Sequence, residues 1–266
     1  MASRFPAATS RFPAAAFPIA GLVVTILTWW LVTTVFDWAH PVVLPPPQDV
    51  LRGMGTNRGL LFDGTVVTTL ETVIGFVLSA AAGFGIGVVL AGSTVLERMF
   101  SPLLVAVNAV PKIAFGPLMV AWLGFGQPPI QFMIFVMSFF PVVLATVTGL
   151  TRTPAEFVEL ARSLDASRWQ EFVKVRLPAA LPQIFVGLKL ALPLASVGAI
   201  IGEFQAGDSQ RPGLGSLIVQ TLAQGDSPTA FGAFVLIAAT TVALYYLVVG
   251  LEHLLLPWVR ATTTPS

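Results

Sequence analysis

Long stretches with almost no charged side chains alternate along this chain with short segments rich in arginine and glutamate. An apolar helix needs about 20 residues to cross the hydrocarbon core of a bilayer, and six of the apolar stretches are long enough. The pattern predicts an all-α, polytopic membrane protein with six transmembrane helices, near residues 17–36, 68–91, 103–123, 130–150, 181–205 and 229–256.

The boundary between the third and fourth spans needs a separate argument, because 39 uncharged residues separate Lys112 from Arg152. One helix of that length would be too long for a bilayer. The cluster GFGQPP at 124–129 consists mainly of turn-forming residues, so it predicts a break there. Two shorter elements are predicted outside the spans: an interfacial helix starting at 48–51 after three prolines, and a re-entrant or lateral helix over 217–222.

The second span carries a ridge of small side chains. Gly75, Ser79, Gly83 and Gly87 recur every four residues, and this spacing places them on one helix face. Small residues let two helices approach closely in a bilayer, where apolar burial between helices gives little driving force. The ridge predicts a helix contact. A hinge that flexes during transport is the functional alternative, because glycine also lowers helix rigidity.

Composition supports a membrane protein and argues against an enzyme. The chain is 55% hydrophobic and 10% charged, with a mean hydropathy of +0.84, so it has too few polar side chains to cover a soluble globule. It has no cysteine for disulfides or thiolate metal sites. No phosphate-binding loop precedes any lysine, and neither histidine, His40 or His253, is assigned a catalytic role. We expect no catalytic residue, metal site or nucleic-acid partner.

One charged segment, residues 153–178, lies between the fourth and fifth spans; we call it the charged segment throughout. Thr153 and Glu156 are spaced as a capping box around a proline, which predicts that a helix starts there. Ser167 and Gln170 form a second box of the same spacing. The charged segment is therefore predicted to fold as helix, turn, helix, with the first helix ending near Asp165.

These residues resemble the loop that permease subunits of ATP-binding-cassette importers use to contact their ATPases. The matching positions are Glu159, Ala161, Asp165 in place of a glycine, Val175, Leu177 and Pro178. The stretches ALPQIFVGLKLALPLASVGAIIGEF, PKIAFGPLMVAWLGFGQ and LPPPQDV narrow the likeness to importers of nitrate, sulfonates, taurine and pyrimidine precursors, over about residues 44–256. Asp165 accepts a left-handed turn less readily than glycine, at about 1 kcal/mol, and Leu160 replaces a usual alanine.

The resemblance implies a type I importer permease whose charged segment forms coupling helices that dock on a separate cytoplasmic ATPase. Leu160, Leu164, Trp169 and Phe172 would be apolar anchors, with Arg162 and Arg168 at the rim. The whole implied coupling set is Glu159, Leu160, Ala161, Arg162, Leu164, Asp165, Ala166, Trp169, Phe172, Leu177 and Pro178.

The same resemblance implies the rest of the assembly. ATP and magnesium would be bound by the ATPase, so this chain needs no cofactor. A binding protein outside the cytoplasm would deliver the solute, of the nitrate, sulfonate, taurine, bicarbonate or pyrimidine-precursor class. Two permease copies would enclose one pathway, so we expect a homodimer. A neutral or anionic small molecule fits this class.

Ionisable and polar residues at membrane depth are candidates for the pathway. Glu203, Phe204, Gln205 and Asn108 are the candidate pathway or gate residues, and a structural hydrogen-bonding role is the alternative for Glu203. Four other charged residues have simpler expectations. Lys112 and Lys189 are expected to snorkel to headgroups, and Glu71 and Glu252 to be solvated at the interfaces.

Lysine and arginine asymmetry predicts that both termini lie in the cytoplasm. The resemblance implies that the membrane is the inner membrane of a bacterial cell. Residues 1–16 and 261–266 are expected to be tails around one permease domain, 17–260. An ion-gradient-driven secondary transporter is the alternative function, although it needs more intramembrane carboxylates than Glu203 alone and no inverted repeat is apparent. A membrane scaffold without transport would leave the charged segment unexplained.

Overall fold

The computed structural model describes residues 16–36, 40–207 and 211–258. Both predicted tails, apart from Ala16, lie outside the described residues. No strand occurs in the described ranges, which agrees with the predicted all-α class. The α-helices are α1 Ala16–Trp30, α2 Pro47–Thr56, α3 Arg58–Ala91, α4 Thr94–Asn108, α5 Phe115–Leu123, α6 Gln127–Thr151, α7 Ala155–Ser163, α8 Arg168–Glu171, α9 Leu177–Ala206, α10 Leu214–Ala223 and α11 Ser227–Leu255.

Every predicted span corresponds to a helix or a helix pair in the structure. Four helical stretches, Arg58–Ala91, Gln127–Thr151, Arg168–Ala206 and Ser227–Leu255, are long and apolar enough to cross a membrane. A fifth is added if α4 and the helix from Lys112 to Leu123 count as one span. The first predicted span is a shorter apolar helix, Ala20–Val35, which ends in a π-helical turn. The count of six therefore stays a prediction.

The third span is not the single helix that was predicted over 103–123. Two helical pieces, Thr94–Asn108 and Lys112–Leu123, meet at an angle of 74°. Pro111 lies in the break with an extended backbone, φ −63° and ψ 94°. Proline has no N–H to continue a helix, and it also disfavours a helical conformation in the residue before it. The chain therefore bends here instead of crossing straight.

The break between α5 and α6 lies where the sequence placed it. Gly124 and Gly126 have φ values of 78° and 101°, in the region where only glycine is free of strain. The N–H of Gly126 donates to the carbonyl of Ala206 over 2.7 Å, so the loop is tied to the end of α9. Helix α6 then starts at Gln127 with proline in its first turn, as the helix-start rule favours.

Helix α6 is the centre of the fold. In its most apolar stretch 61% of the residues are buried, against 11% in α11. Gly83 of α3 faces Val142 so closely that a Cβ at this glycine would lie 2.9 Å from the valine Cβ. On the other side, a Cβ at Gly198 of α9 would lie 2.8 Å from the Cα of Ile134. Helix α6 is thus packed between α3 and α9 through glycines on both neighbours.

The small-residue ridge of α3 faces α6 along its length. Gly75 lies against Ile134, Gly87 lies against Thr146, and Ser79 is fully buried. The hydroxyl of Ser79 donates to the carbonyl of Gly75 over 2.6 Å within α3. This placement matches the packing interpretation of the ridge.

The predicted lateral helix is present as α10, ten residues long and mostly buried. Leu214, Leu217 and Ile218 pack with Leu61 of α3 and Ala233 of α11 in one apolar cluster. Helix α10 is therefore wedged among the spans, and its first turn points at the end of α9.

Candidate functional site

The charged segment consists of two short helices and a π-helical turn that leads into a span. Helix α7 ends at Ser163, a turn follows, α8 runs from Arg168 to Glu171, and the π-helical turn Phe172–Arg176 continues directly into α9. The predicted order of helix, turn, helix is correct. Because no loop separates α8 from α9, the charged segment is continuous with a membrane helix.

One of the two predicted capping boxes forms and the other does not. The Ser167 hydroxyl accepts from the Gln170 N–H over 3.3 Å, and the Gln170 carbonyl oxygen of the side chain accepts from the Ser167 N–H over 2.9 Å. The box at Thr153 is wrong: Pro154 is the N-cap of α7, with no side-chain cap. The Thr153 hydroxyl instead donates to the carbonyl of Leu150 over 3.2 Å, because it lies against the unpaired end of α6.

The turn after α7 is a Schellman motif built on Asp165. The N–H of Ala166 donates to the carbonyl of Ala161, and the N–H of Asp165 donates to that of Arg162, both over 3.1 Å. These two bonds define the motif and require a left-handed residue at the position of Asp165. Its φ is 54°, the only positive value of a non-glycine residue in the described ranges. Asp165 therefore carries the expected cost of about 1 kcal/mol for a left-handed residue that is not glycine.

Glu171 joins the two sides of that turn. Its carboxylate is 8% exposed; Oε2 accepts from Arg162 Nε over 3.1 Å, and Oε1 accepts from Arg176 Nε over 2.7 Å. The hydrogen bond from Arg162, followed by that from Arg176, holds the pKa of this carboxyl below its usual value. Glu171 precedes the apolar stretch 181–205 that is assigned to the membrane. Through Arg162 and Arg176 it acts as a charged clamp between α7 and the start of α9.

Glu171 was not among the residues predicted from the sequence. Its partners are nine residues before it and five residues after it, and neither spacing places two side chains on one face of a regular helix. The clamp depends on the turn and on the π-helical segment, which the sequence pattern does not indicate. Arg162, predicted as a rim contact, uses its Nε atom within the chain instead.

One face of α7 presents large apolar side chains to solvent. Phe157, Leu160 and Leu164 are 55%, 58% and 74% exposed. They line an open groove of about 630 Å³ together with Val175 and Pro178 near the start of α9 and with Trp258. Phe157 was not predicted, although its spacing from Leu160 and Leu164 is the helical i, i+3, i+7 pattern that would have revealed it.

The remaining predicted coupling residues divide between surface and core. Trp169 is 72% exposed, and Glu159 is exposed on α7. Phe172 and Leu177 are half-buried and pack on the cluster of Leu150, Ala180 and Ile184. Phe172 thus packs on the edge of the core, and its role as an anchor stays a prediction. The other members of the set, Ala161, Ala166 and Pro178, line the groove.

Glu203 is a buried structural carboxylate, 3% exposed. Its Oε1 accepts from the Thr68 hydroxyl over 2.6 Å, and its Oε2 accepts from the N–H groups of Gly215 and Ser216 over 2.6 and 3.2 Å. The Thr68 hydroxyl oxygen accepts in turn from the N–H of Leu214 over 2.8 Å. These bonds satisfy amides at the start of α10. They favour the structural alternative for Glu203.

The structure does not bring the four candidate pathway residues together. Phe204 is 44% exposed, while the Gln205 amide lies against Gly116 of α5. Asn108 Oδ1 accepts from Lys112 Nζ over 2.7 Å. Asn108 also lines a separate open groove of about 700 Å³ beside α6 and α9, as does Lys189.

Three charged residues differ from their simple expectations. Glu71 is 5% exposed instead of solvated, and its Oε1 accepts from the Gln127 side-chain amide over 2.5 Å. Lys189 does not reach for headgroups, because its Nζ lies 3.0 and 2.7 Å from the two carboxylate oxygens of Glu252. This pair, with side chains 22% and 19% exposed, ties α9 to α11.

Comparison with known proteins gives consistent matches. The sequence profile of a family described as "Binding-protein-dependent transport system inner membrane component" matches residues 83–261. A probable ABC transporter permease protein of Haemophilus influenzae is 33% identical over 236 residues, 89% of this chain and 95% of that protein. The riboflavin transport system permease protein RibX of Chloroflexus aurantiacus is 34% identical over 249 residues, 91% of each.

A solved structure gives a match to the fold. A chain of the MetNI methionine ABC transporter, in an inward-facing conformation, aligns with a TM-score of 0.56 and 21% identity, covering 73% of this chain and 94% of that chain. At this identity the likeness concerns the fold alone.

Replacing Asp165 with glycine should stabilise the turn by about 1 kcal/mol, because glycine has no penalty at a left-handed φ. The readout is hydrogen exchange of the Ala166 amide, which should slow by about fivefold. Ser163→Gly is the matched control: it places the same residue inside α7, where it should speed exchange. Equal exchange in the wild type and Asp165→Gly would contradict the strained turn.

Replacing Glu171 with glutamine should loosen the charged segment, because a neutral amide binds two guanidinium groups less strongly. We expect amide exchange across α7 and α8 to rise by about tenfold, a moderate value because Arg162 is 63% exposed. Because folding lowers the pKa of Glu171, its carboxylate stabilises the charged segment fully at pH values above the ordinary pKa of 4.5. That stabilisation is lost as the pH falls through the lower pKa of the folded state. Glu171→Gln should lack that acid-dependent loss; a loss of the same size in both proteins would exclude the clamp.

Proposed function

We infer the function of this chain from one premise, which is that it belongs to the family of binding-protein-dependent transport system inner membrane components. It is a multi-pass inner-membrane protein and the permease subunit of an ATP-binding-cassette importer for a small solute. As such it works with an ATPase and with a substrate-binding protein. The proposals below concern how this chain does so.

The charged segment is our proposed docking site for the ATPase. The observation that carries this proposal is the exposed apolar face of Phe157, Leu160 and Leu164 beside a groove of about 630 Å³. Large exposed apolar side chains clustered at a groove are typical of the central contacts of a protein interface. Glu159 and Trp169, exposed on the same segment, are proposed for its periphery.

The continuity of the charged segment with α9 suggests how docking moves the pathway. Glu171 fastens α7 to the start of α9, and α9 packs on α6 through Gly187, Gly198 and Gly202. A displacement of α7 by the ATPase would therefore move α9 as a body instead of bending a loose connection. We propose that the ATPase binds ATP and magnesium and hydrolyses the ATP. This chain would move its helices in response and would catalyse no reaction.

For the solute pathway we propose the open groove beside α6 and α9, closed by a second copy of the chain. The groove holds about 700 Å³, is mostly apolar, and carries polar groups from Asn108, Gln183, Lys189 and Tyr245. Prolines 141 and 193 line it, and each leaves a carbonyl of its helix without an amide donor. Asn108 thus remains a pathway candidate. For Glu203 we propose a structural role, which is to hold the first turn of α10 in place.

The solute class and the orientation complete the proposal. Other relatives are named for the transport of formylaminopyrimidine, nitrate, aliphatic sulfonates and taurine. We propose that this chain moves a small solute of the nitrate, sulfonate, taurine, bicarbonate or pyrimidine-precursor class. Both termini are proposed to lie in the cytoplasm, which places the charged segment on the side of the ATPase. Glu203 accepts hydrogen bonds from Thr68 and from the amides of α10, and the relatives are importer permeases, so we do not propose a secondary transporter.

Replacing Leu164 with serine should weaken capture of the ATPase by the tagged chain, because it removes a 74% exposed apolar side chain from the proposed contact. We expect a loss of about 1–3 kcal/mol of binding, or roughly fivefold to a hundredfold less ATPase retained. Leu51→Ser is the matched control, as Leu51 of α2 is 69% exposed at a distant surface. Equal retention by both variants would remove the charged segment from the interface.

A further inference from the structure

A basic pocket lies on the charged segment and is lined by side chains different from those of the docking groove. Three arginines line it, Arg162, Arg168 and Arg176, together with one carboxylate, Glu171. These four charged groups leave a net charge of +2 on one pocket. Its volume is about 450 Å³, the space of roughly fifteen molecules of liquid water, which is enough for a glycerophosphate group.

The arginines keep donors available after the clamp is made. Glu171 takes the Nε donor of Arg162 and donors of Arg176, but a guanidinium carries five N–H groups. Arg168 is exposed and makes no ion pair within residues 16–36, 40–207 and 211–258. Glu171 therefore orients two guanidinium groups without using up their donors, and Arg168 adds a third.

The position of the pocket relative to the spans sets the kind of ligand it meets. Its apolar wall comes from the last residues of two membrane helices: Val88 and Ala91 end α3, and Leu150 ends α6. Helix α6 has 25 residues, close to the length that crosses a bilayer, so we place its end near the lipid headgroups. Trp169, 72% exposed, also lines the pocket.

We propose that this pocket binds the phosphate of an anionic phospholipid, with Arg168 as its principal contact and with Arg162 and Arg176 held in place by Glu171. Basic pockets between membrane helices at a membrane surface recognise anionic headgroups by charge. The wall formed by Val88, Ala91 and Leu150 is apolar where the acyl chains of such a lipid would begin. The site goes beyond the transport function, because it ties the charged segment to the bilayer surface.

The test uses the full chain purified from membranes with its bound ATPase and then stripped of lipid in detergent. An equimolar mixture of phosphatidylglycerol and phosphatidylcholine is added, and native mass spectrometry counts each retained lipid. We expect wild type to prefer phosphatidylglycerol and Arg168→Gln to lose about fivefold of that preference, the factor that one arginine near a membrane surface contributes. The control variant Arg152→Gln removes an exposed arginine outside the pocket. It should keep the preference for phosphatidylglycerol.

Several results would overturn the proposal. Equal retention of both lipids by wild type, or equal losses in Arg168→Gln and Arg152→Gln, would exclude a specific pocket. Displacement of phosphatidylglycerol by equimolar sodium phosphate would show that the pocket takes a free anion and not a lipid. Since the measurement needs neither ATP nor solute, its failure would leave the transport function untouched.

Discussion

The fold depends on the close approach of α6 to α3 and α9. Lipid tails are as apolar as leucine, so apolar burial does not by itself drive helices together in a bilayer. Glycines at 83, 187 and 198 let backbone and side chains of α6 come so near that even a methyl group would collide with them. Helix α9 is therefore held along its length, and the charged segment leads directly into its first turn. In the proposed docking, force applied to the charged segment would therefore be passed to the packed centre of the protein.

The charged segment combines a strained turn with a compensating clamp. Asp165 adopts a φ of 54° that glycine would adopt at lower cost. Glu171 spans the same turn and holds Arg162 on one side and Arg176 on the other. A turn with Asp165 is less stable than the same turn with glycine. The ion pairs of Glu171 compensate, because they hold α7 in a fixed position relative to α9. Its arginines also line the pocket proposed for a lipid, so a single cluster would connect the proposed docking surface, the proposed lipid site and the start of α9.

Local sequence rules identified much of the fold. The charge pattern located the helices, the cluster at 124–129 marked the break before α6, and Ser167 with Gln170 formed the predicted box. The rules failed where a residue's partner is distant in sequence: Glu71 meets Gln127, Lys189 meets Glu252, and Glu203 meets Thr68 and α10. They also failed at Thr153, where α6 offered a nearer acceptor, and they did not give the 74° angle of the break at Pro111.

Cross-linking from the apolar face of α7 tests the central claim most directly. A photoreactive amino acid is placed at Leu160, 58% exposed in the docking groove, or at Leu190, 62% exposed in the middle of α9, and the membranes are irradiated. An adduct with the ATPase subunit from position 160 and none from position 190 is the result expected of a docking site on the charged segment. Absence of an ATPase adduct at position 160, in membranes where the chain still co-purifies with the ATPase, would contradict it.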